Sequence, residues 1–300
     1  MVRTIAALTA AANTDAVVYW VDNDHGTSLT EGEAAIAAGS SATGQATVIV
    51  DNGTSTVTSA TITGGAGADV IALAAGTNAG VSISDTDGFT LTGGTTNTVA
   101  FTSALAATTI TGGSGVDTYT FGTGSNVATV TGGLGADVMD LGAAHTGGIT
   151  IVQAGTTPDA IDAITNFLVA DDIIDFTTNA AVNSGATVTA YAEGALGAVG
   201  ATIALQAFSN NITVADSAVG PTEAEMETYL STTAVFESGA ATGALYVVVD
   251  DGTDSWLVLL ESSGSNQVYT AAEDVSTVVT RLIGVTDATT FSGANFADFT

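Results

Sequence analysis

Gly112-Gly113-Ser114-Gly115-Val116-Asp117-Thr118-Tyr119 is followed, twenty residues on, by Gly132-Gly133-Leu134-Gly135-Ala136-Asp137-Val138-Met139. An earlier stretch, Gly64-Gly65-Ala66-Gly67-Ala68-Asp69-Val70-Ile71, has the same form, Gly-Gly-x-Gly-x-Asp-x-apolar. Repeats of short period mark a solenoid, in which each repeat buries its apolar face only against its neighbours. After each aspartate the apolar residues alternate: Ile71 and Leu73, Tyr119 and Phe121, Met139 and Leu141. Ile62, Ile110 and Val130 stand two residues before the glycine pairs. Period two means a short strand with one buried face. Weaker copies of the rhythm lie between and after the full matches, at Val81/Ile83, Phe89/Leu91 before Gly93-Gly94, Val99/Phe101 and Ile149/Ile151. Strand and turn together recur about every nine or ten residues, so two strands make one coil of about 18–20. The step from Gly112 to Gly132 then puts those two loops on one edge, in successive coils.

Composition limits what such a solenoid can do. The 300 residues carry 31 acids against two strongly basic residues, Arg3 and Arg281, for a net charge of −29. Phosphate backbones and anionic lipid surfaces are poor partners for that charge, so neither nucleic acid binding nor membrane insertion is expected. There is no cysteine, hence no disulfide framework, thiolate metal site or thiol nucleophile. With 46% apolar residues the chain has enough hydrophobic surface to fold despite its charge. No run of about 18 apolar residues appears, and the first eight residues are too short and too weakly charged for a signal peptide.

Stacked glycine-aspartate loops have a definite chemistry. Glycine admits positive φ and lets carbonyl oxygens converge, and aspartate adds a hard anionic oxygen. Calcium takes 6–8 such ligands in tolerant geometry. The expected ion site combines Asp117 and carbonyls of Gly112, Gly113 and Gly115 with the facing loop of Gly132, Gly133, Gly135 and Asp137. Asp137 would hold a second ion against the loop near Gly155. On the opposite edge Gly64, Gly65, Gly67 and Asp69 would act with Asp85 or Asp87 one coil later. The competing reading is a solenoid without calcium, whose aspartates cap tight turns.

Residues 61–152 resemble the nonapeptide repeats of the repeats-in-toxin (RTX) family, whose calcium ions sit between turns of a parallel β-roll. Residues 159–176, with Ile161, Ile164, Phe167, Ile173 and Phe176 among acids, resemble the segment that follows and caps such rolls. Family members leave the cell through type I secretion, directed by an uncleaved C-terminal signal. Residues 291–300, apolar, small and acidic, are similar to such signals and equally compatible with a final edge strand. The resemblance implies Ca2+ as cofactor, a secreted or cell-surface location, and folding driven by ions outside the cell.

The expected fold class is mainly β: a parallel β-roll or β-solenoid with calcium-binding turns, plus a smaller α+β C-terminal region. The expected organisation is an N-terminal β-rich region (1–60), the roll (61–155), a capping segment (156–180) and the C-terminal region (181–300). Flanking segments read as strands at 16–21 and 47–50, and as helices at 31–38, at 222–230 with Thr222 as N-cap, and at 271–282 with Arg281 near its C-terminal end. Residues 245–260 read as a β-hairpin with an acidic turn.

No catalytic arrangement is legible. His25 and His145 are isolated and form no His-Glu-x-x-His motif, no lysine is present for a phosphate loop, and no nucleophile elbow accompanies a triad. The chain is expected not to be an enzyme. The expected function is a secreted, calcium-binding structural protein that associates with itself in a surface layer or extracellular matrix, as S-layer proteins of similar composition do. The alternatives are an adhesin for a host or cell-surface polysaccharide, with Tyr19, Trp20 and Trp256 as contact candidates unless they are core, or an exported enzyme of unrecognised type.

Overall fold

The computed structural model describes residues 8–9, 17–22, 35–37, 46–51, 60–63, 69–73, 77–84, 89–124, 126–153, 160–176, 190–194, 203–208, 211–230, 243–262 and 268–297. They belong to two compact units, Met1–Ile151 and Val152–Thr300.

The strands of the first unit are β1 (Leu8–Thr9), β2 (Val17–Asp22), β3 (Ala35–Ala37), β4 (Ala46–Asp51), β5 (Ala60–Thr63), β6 (Asp69–Leu73), β7 (Thr77–Ser84), β8 (Phe89–Thr92), β9 (Thr96–Phe101), β10 (Thr108–Thr111), β11 (Thr118–Thr120), β12 (Ala128–Thr131), β13 (Val138–Asp140) and β14 (Ile149–Val152). Odd-numbered strands follow one another in one sheet and even-numbered strands in another. Consecutive strands thus alternate between two sheets of parallel strands, which is a parallel β-solenoid; the seven strands of residues 89–152 supply about three and a half successive coils. Register follows the repeat: Ile110 pairs with Val130 and Tyr119 with Met139, each twenty residues apart. The ladder also takes in β1 to β5, which precede the glycine-aspartate motif. Strand β3 lies within the segment read as a helix at 31–38. Its Ala35-Ile36-Ala37 pairs with β1 and β5, so sheet pairing overrides the small-residue helix propensity there.

The alternating apolar residues point inward as expected. Ile71, Val81, Ile83, Leu91, Val99, Ile110, Tyr119, Val130, Met139, Ile149 and Ile151 are buried, and the described strand neighbours between them are exposed or half-buried. Phe101 and Phe121 close one end of the coil section with ring centroids 4.9 Å apart.

The second unit contains β15 (Asp162–Thr165), β16 (Ile173–Asp175), β17 (Ala190–Gly194), β18 (Ile203–Phe208), α1 (Glu223–Leu230), β19 (Gly243–Asp250), β20 (Asp254–Ser262), β21 (Val275–Ile283) and β22 (Phe296–Ala297). Strands β15-β21-β20-β19-β18-β17 form a mixed sheet, and β16 pairs with β22. The hairpin expected at 245–260 is β19 and β20, antiparallel around the acidic turn. Both its faces are covered, so its sequence is a nearly unbroken apolar run rather than an alternation. Helix α1 starts in a capping box: Thr222 Oγ1 accepts from the Glu225 N–H at 3.3 Å, and Glu225 accepts from the Thr222 N–H at 2.8 Å. Its Met226 and Leu230 pack into the cluster of Phe208, Val247, Trp256, Val258 and Tyr269.

Three expectations are corrected in this unit. Residues 271–282 are not a helix: a turn at Thr270–Asp274 leads into β21, because Val275, Thr277, Val278, Val279 and Thr280 are β-branched and stiff at χ1. Arg281 accordingly serves no helix terminus but binds Asp254 through Nε at 2.9 Å and Nη2 at 2.6 Å. In the capping segment Ile164, Phe167, Ile174 and Phe176 are buried, whereas Ile161 and Ile173, expected in the same inward set, are only partly covered. Of residues 291–297 only Phe296–Ala297 form an edge strand, after a short 3-10 turn at Gly293–Asn295, with the Phe296 ring 6.4 Å from that of Phe176 and Asn295 Nδ2 donating to Val169 O and Asp172 O. No helix among the described residues is long and apolar enough to cross a membrane.

Asp250, at the mouth of the hairpin, is 2% exposed and accepts from the Ala288 and Gly252 N–H groups. Burial raises its carboxyl above the ordinary 3.8, against those two donors, and Asp287 and Asp251 add to the rise. A carboxyl raised on folding binds its proton more tightly in the folded state, so its stabilising effect fades as pH rises from the ordinary value through the raised one. Asp250→Asn, a neutral mimic of the protonated form, should therefore gain in melting temperature relative to the wild type between pH 4 and pH 7. Thermal unfolding of both proteins across that range checks it, and parallel curves would sink the assignment.

Candidate functional site

The site is built where β10 turns into β11 and β12 into β13. A strand residue cannot reverse direction in so few steps without backbone angles that side chains resist, and Gly133 and Gly135 take φ of +110° and +111°. The loops also stack without room for a methyl group. A Cβ on Gly113 would run into the carbonyl of Gly94, one on Gly112 into that of Gly132, and one on Gly133 into that of Gly113. Cross-coil hydrogen bonds fix the spacing: Gly112 N–H to Thr131 O at 2.8 Å, Leu134 N–H to Gly113 O at 3.0 Å, and Gly115 N–H to Thr95 O at 2.7 Å.

The aspartates of these loops turn inward. Asp117 and Asp137 are fully buried, and so is Asn97 one coil earlier. Asp137 Oδ1 accepts from the Asp117 N–H at 2.8 Å. Asp117 Oδ1 in turn accepts from the Asn97 N–H at 2.6 Å and from Asn97 Nδ2 at 2.8 Å, while Oδ2 accepts from Gly113 N–H at 2.7 Å. Asn97 Oδ1 accepts from Gly94 N–H at 2.9 Å. The result is a ladder: Asp137 and Asp117 each cap the backbone of the preceding coil, and Asp117 and Asn97 each tie their own loop. Burial raises the Asp117 carboxyl above 3.8, opposed by the Gly113 and Asn97 donors. Tyr119, buried beside this ladder, has its phenol pushed far above 10 by burial and then by the charges of Asp117 and Asp137, so it stays protonated.

Asn97 belongs to the site although the sequence reading passed over it. Gly93-Gly94-Thr95-Thr96-Asn97 is a degenerate loop one residue shorter than its successors, and the signal is its exact twenty-residue offset from Asp117. On the other edge of the solenoid Asn126 does a related job, with Oδ1 accepting from Leu105 N–H at 3.1 Å and Nδ2 donating to Gly122 O at 2.9 Å. His145 lies buried there with Nδ1 2.9 Å from Gly142 O.

The structure thus brings together Gly112, Gly113, Gly115, Asp117, Gly132, Gly133, Gly135 and Asp137. Asp69 opens β6, whose sheet is opposite to that of β11, in keeping with the expected placement on two edges. Its side chain, Gly64, Gly65, Gly67, Asp85, Asp87, Gly155 and His25 lie outside the described residues. The side chains of Tyr19 and Trp20 do also, whereas Trp256 is core, fully buried in the second unit. Among the described residues no three acidic or histidine side chains gather at metal-binding distance. No family model, no curated protein and no solved structure matches the chain.

Two substitutions separate the ladder from the charge. Asp117→Ala strands the Asn97 and Gly113 N–H groups, at about 1–3 kcal/mol for each buried donor left without an acceptor. Asp117→Asn keeps an acceptor and should cost less than half as much in urea or thermal unfolding with chelator present; equal losses would show that the acceptor role is not what holds the loops. Gly133→Ala, strained by its φ and blocked by Gly113 O, should destabilise more than Ser114→Ala in the exposed part of the preceding coil's turn, by roughly 1–3 kcal/mol from the backbone conformation alone. The same unfolding measurement ranks the two, and equal effects would contradict the close stacking.

Proposed function

We propose that the chain is a secreted calcium-binding structural protein of the RTX kind, one that associates with itself into a cell-surface layer or extracellular matrix. The observation that carries this reading is the in-register stacking of two Gly-Gly-x-Gly-x-Asp loops with both carboxylates buried. The donor chemistry fits calcium. Asp117 and Asp137 offer hard carboxylate oxygens, the surrounding donors are glycine and threonine carbonyls, and neither thiolate nor imidazole stands in the loops.

A carboxylate offers about four lone-pair directions. Asp117 uses three of them on Asn97 and Gly113. The ladder therefore leaves the Asp117 carboxylate a small share in any ion, and loop carbonyls would complete the shell. Calcium would supply positive charge between carboxylates that otherwise repel. Net charge −29 bears on export and assembly in the same way. Self-repulsion disfavours the compact chain where calcium is scarce, and cations outside the cell screen one copy from the next. Type I secretion suits that sequence of events. The burial of Trp256 in the second unit removes one of the aromatic candidates for an adhesin surface.

The test is a calcium titration of the chelated full chain. Circular dichroism should show a cooperative gain of β-structure that Asp117→Asn and Asp137→Asn shift to higher calcium, and light scattering with electron microscopy should then show sheets or filaments. Unchanged β-structure with and without chelator would remove calcium from the reading. Folding into a persistent monomer at saturating calcium would remove the layer.

A further inference from the structure

The outward side of the even-numbered sheet carries a second pattern that the calcium reading does not use. Thr90 and Thr92 on β8 pair with Thr109 and Thr111 on β10, and these with Thr129 and Thr131 on β12. No register shift interrupts either pairing. Five of the six are exposed and Thr131 is half-buried, while Leu91, Ile110 and Val130 between them point into the coil. Two straight ranks of threonine result, each rising one strand at a time by about 4.8 Å and separated along the strand by about 6.6 Å.

Composition alone does not explain this order, because the other sheet of the same coils lacks it. There Thr98 and Thr118 are followed in register by Val138, and Ala100 and Thr120 by Asp140. In a chain of net charge −29, the three strands β8, β10 and β12 present no charged residue at all. The face combines a methyl and a hydroxyl at each point of a rectangular grid, on a sheet whose in-register stacking opposes twist.

We propose that this threonine face binds ice. A neutral crystalline lattice of water is the partner whose chemistry the grid fits: hydroxyls take the place of lattice oxygens, methyls order the water between them, and the absence of charge leaves no tightly held hydration shell to strip. The grid spacings are of the same scale as the oxygen repeats on a face of ice. A crystalline polysaccharide would call for aromatic platforms, and the outward positions of these strands hold none. A second copy would bring the remaining charge of two acidic chains together for a surface of six threonines. This inference does not rest on the calcium or surface-layer reading.

The experiment is growth of a single ice crystal in purified full-length protein with calcium present, followed by microscopy below the melting point. Wild-type protein should facet the crystal and hold its growth over a measurable temperature gap. Thr111→Tyr, at the centre of one rank, should abolish that gap, and Thr120→Tyr on the opposite sheet should leave it intact, with circular dichroism confirming that both variants fold. Round, freely growing crystals in the wild type overturn the proposal, as does an equal loss in both variants. Sedimentation velocity and a pull-down on cellulose and chitin complete the test: if Thr111→Tyr abolishes self-association or sugar retention while the wild type leaves ice unshaped, the face belongs to that partner instead.

Discussion

Every coil of a solenoid must find acceptors for backbone N–H groups at the corner where its strand ends, and here a side chain from the following coil supplies them. Asp137 accepts from the backbone of Asp117, and Asp117 from the backbone of Asn97. The bond works only if the donor and acceptor residues stand one above the other, so it fixes coil length at the corner to twenty residues. The register of β9 with β11, β10 with β12 and β11 with β13 has that number, whereas β8 pairs with β10 at nineteen, the residue missing from the loop at 93–97. The degenerate loop at 93–97 is one residue short, yet Asn97 still lies opposite Asp117, because the shortening falls between the glycine pair and the capping residue. The corner, more than the strands, is what the repeat conserves within this chain.

Much of this was legible in the sequence because it has a period. Alternation told which residues face inward, and the buried set of Leu91, Val99, Ile110, Tyr119, Val130 and Met139 is the set the alternation implies. The glycine spacing told where the corners are. The inward turn of the aspartates could not be read, since a carboxylate that binds an ion between loops and one that caps a backbone N–H carry the same letter. Asn97 was invisible for a related reason: with amide in place of carboxylate it fits no ion-binding pattern, but as an acceptor it is equivalent.

Outside the repeats the sequence was less informative. The capping box at Thr222 and Glu225 was visible because it is local, whereas β21 was misread because Val275, Val278, Val279 and Leu282 satisfy helical spacing. What decides for a strand is the partner: β21 lies between β20 and β15, and Arg281 reaches Asp254 across the β20 pairing. Neither neighbour can be inferred from residues 271–282 alone. Ile173 and Ile174 pose the same problem at smaller scale, since two adjacent isoleucines leave the parity of a short strand open until the pairing with β22 closes it.

The acidic composition divides into kinds that a net charge conceals. Asp117 accepts from the N–H four residues before it, Gly113; Asp172 does so from Leu168, and Asp274 from Thr270. All three are buried, and two of them stand in turns with no glycine motif. The same bond therefore recurs where no ion site is suggested, and it accounts for a buried aspartate without calcium. The glycine loops add two things to it: a second carboxylate stacked one coil away, and neighbouring carbonyls brought close by the absence of side chains. Stacked buried carboxylates repel in a medium of low dielectric, and the backbone N–H groups that each accepts neutralise only part of that charge. Protonation or a bound cation would remove the rest, and burial by itself already raises the Asp117 carboxyl above its ordinary value against the Gly113 and Asn97 donors.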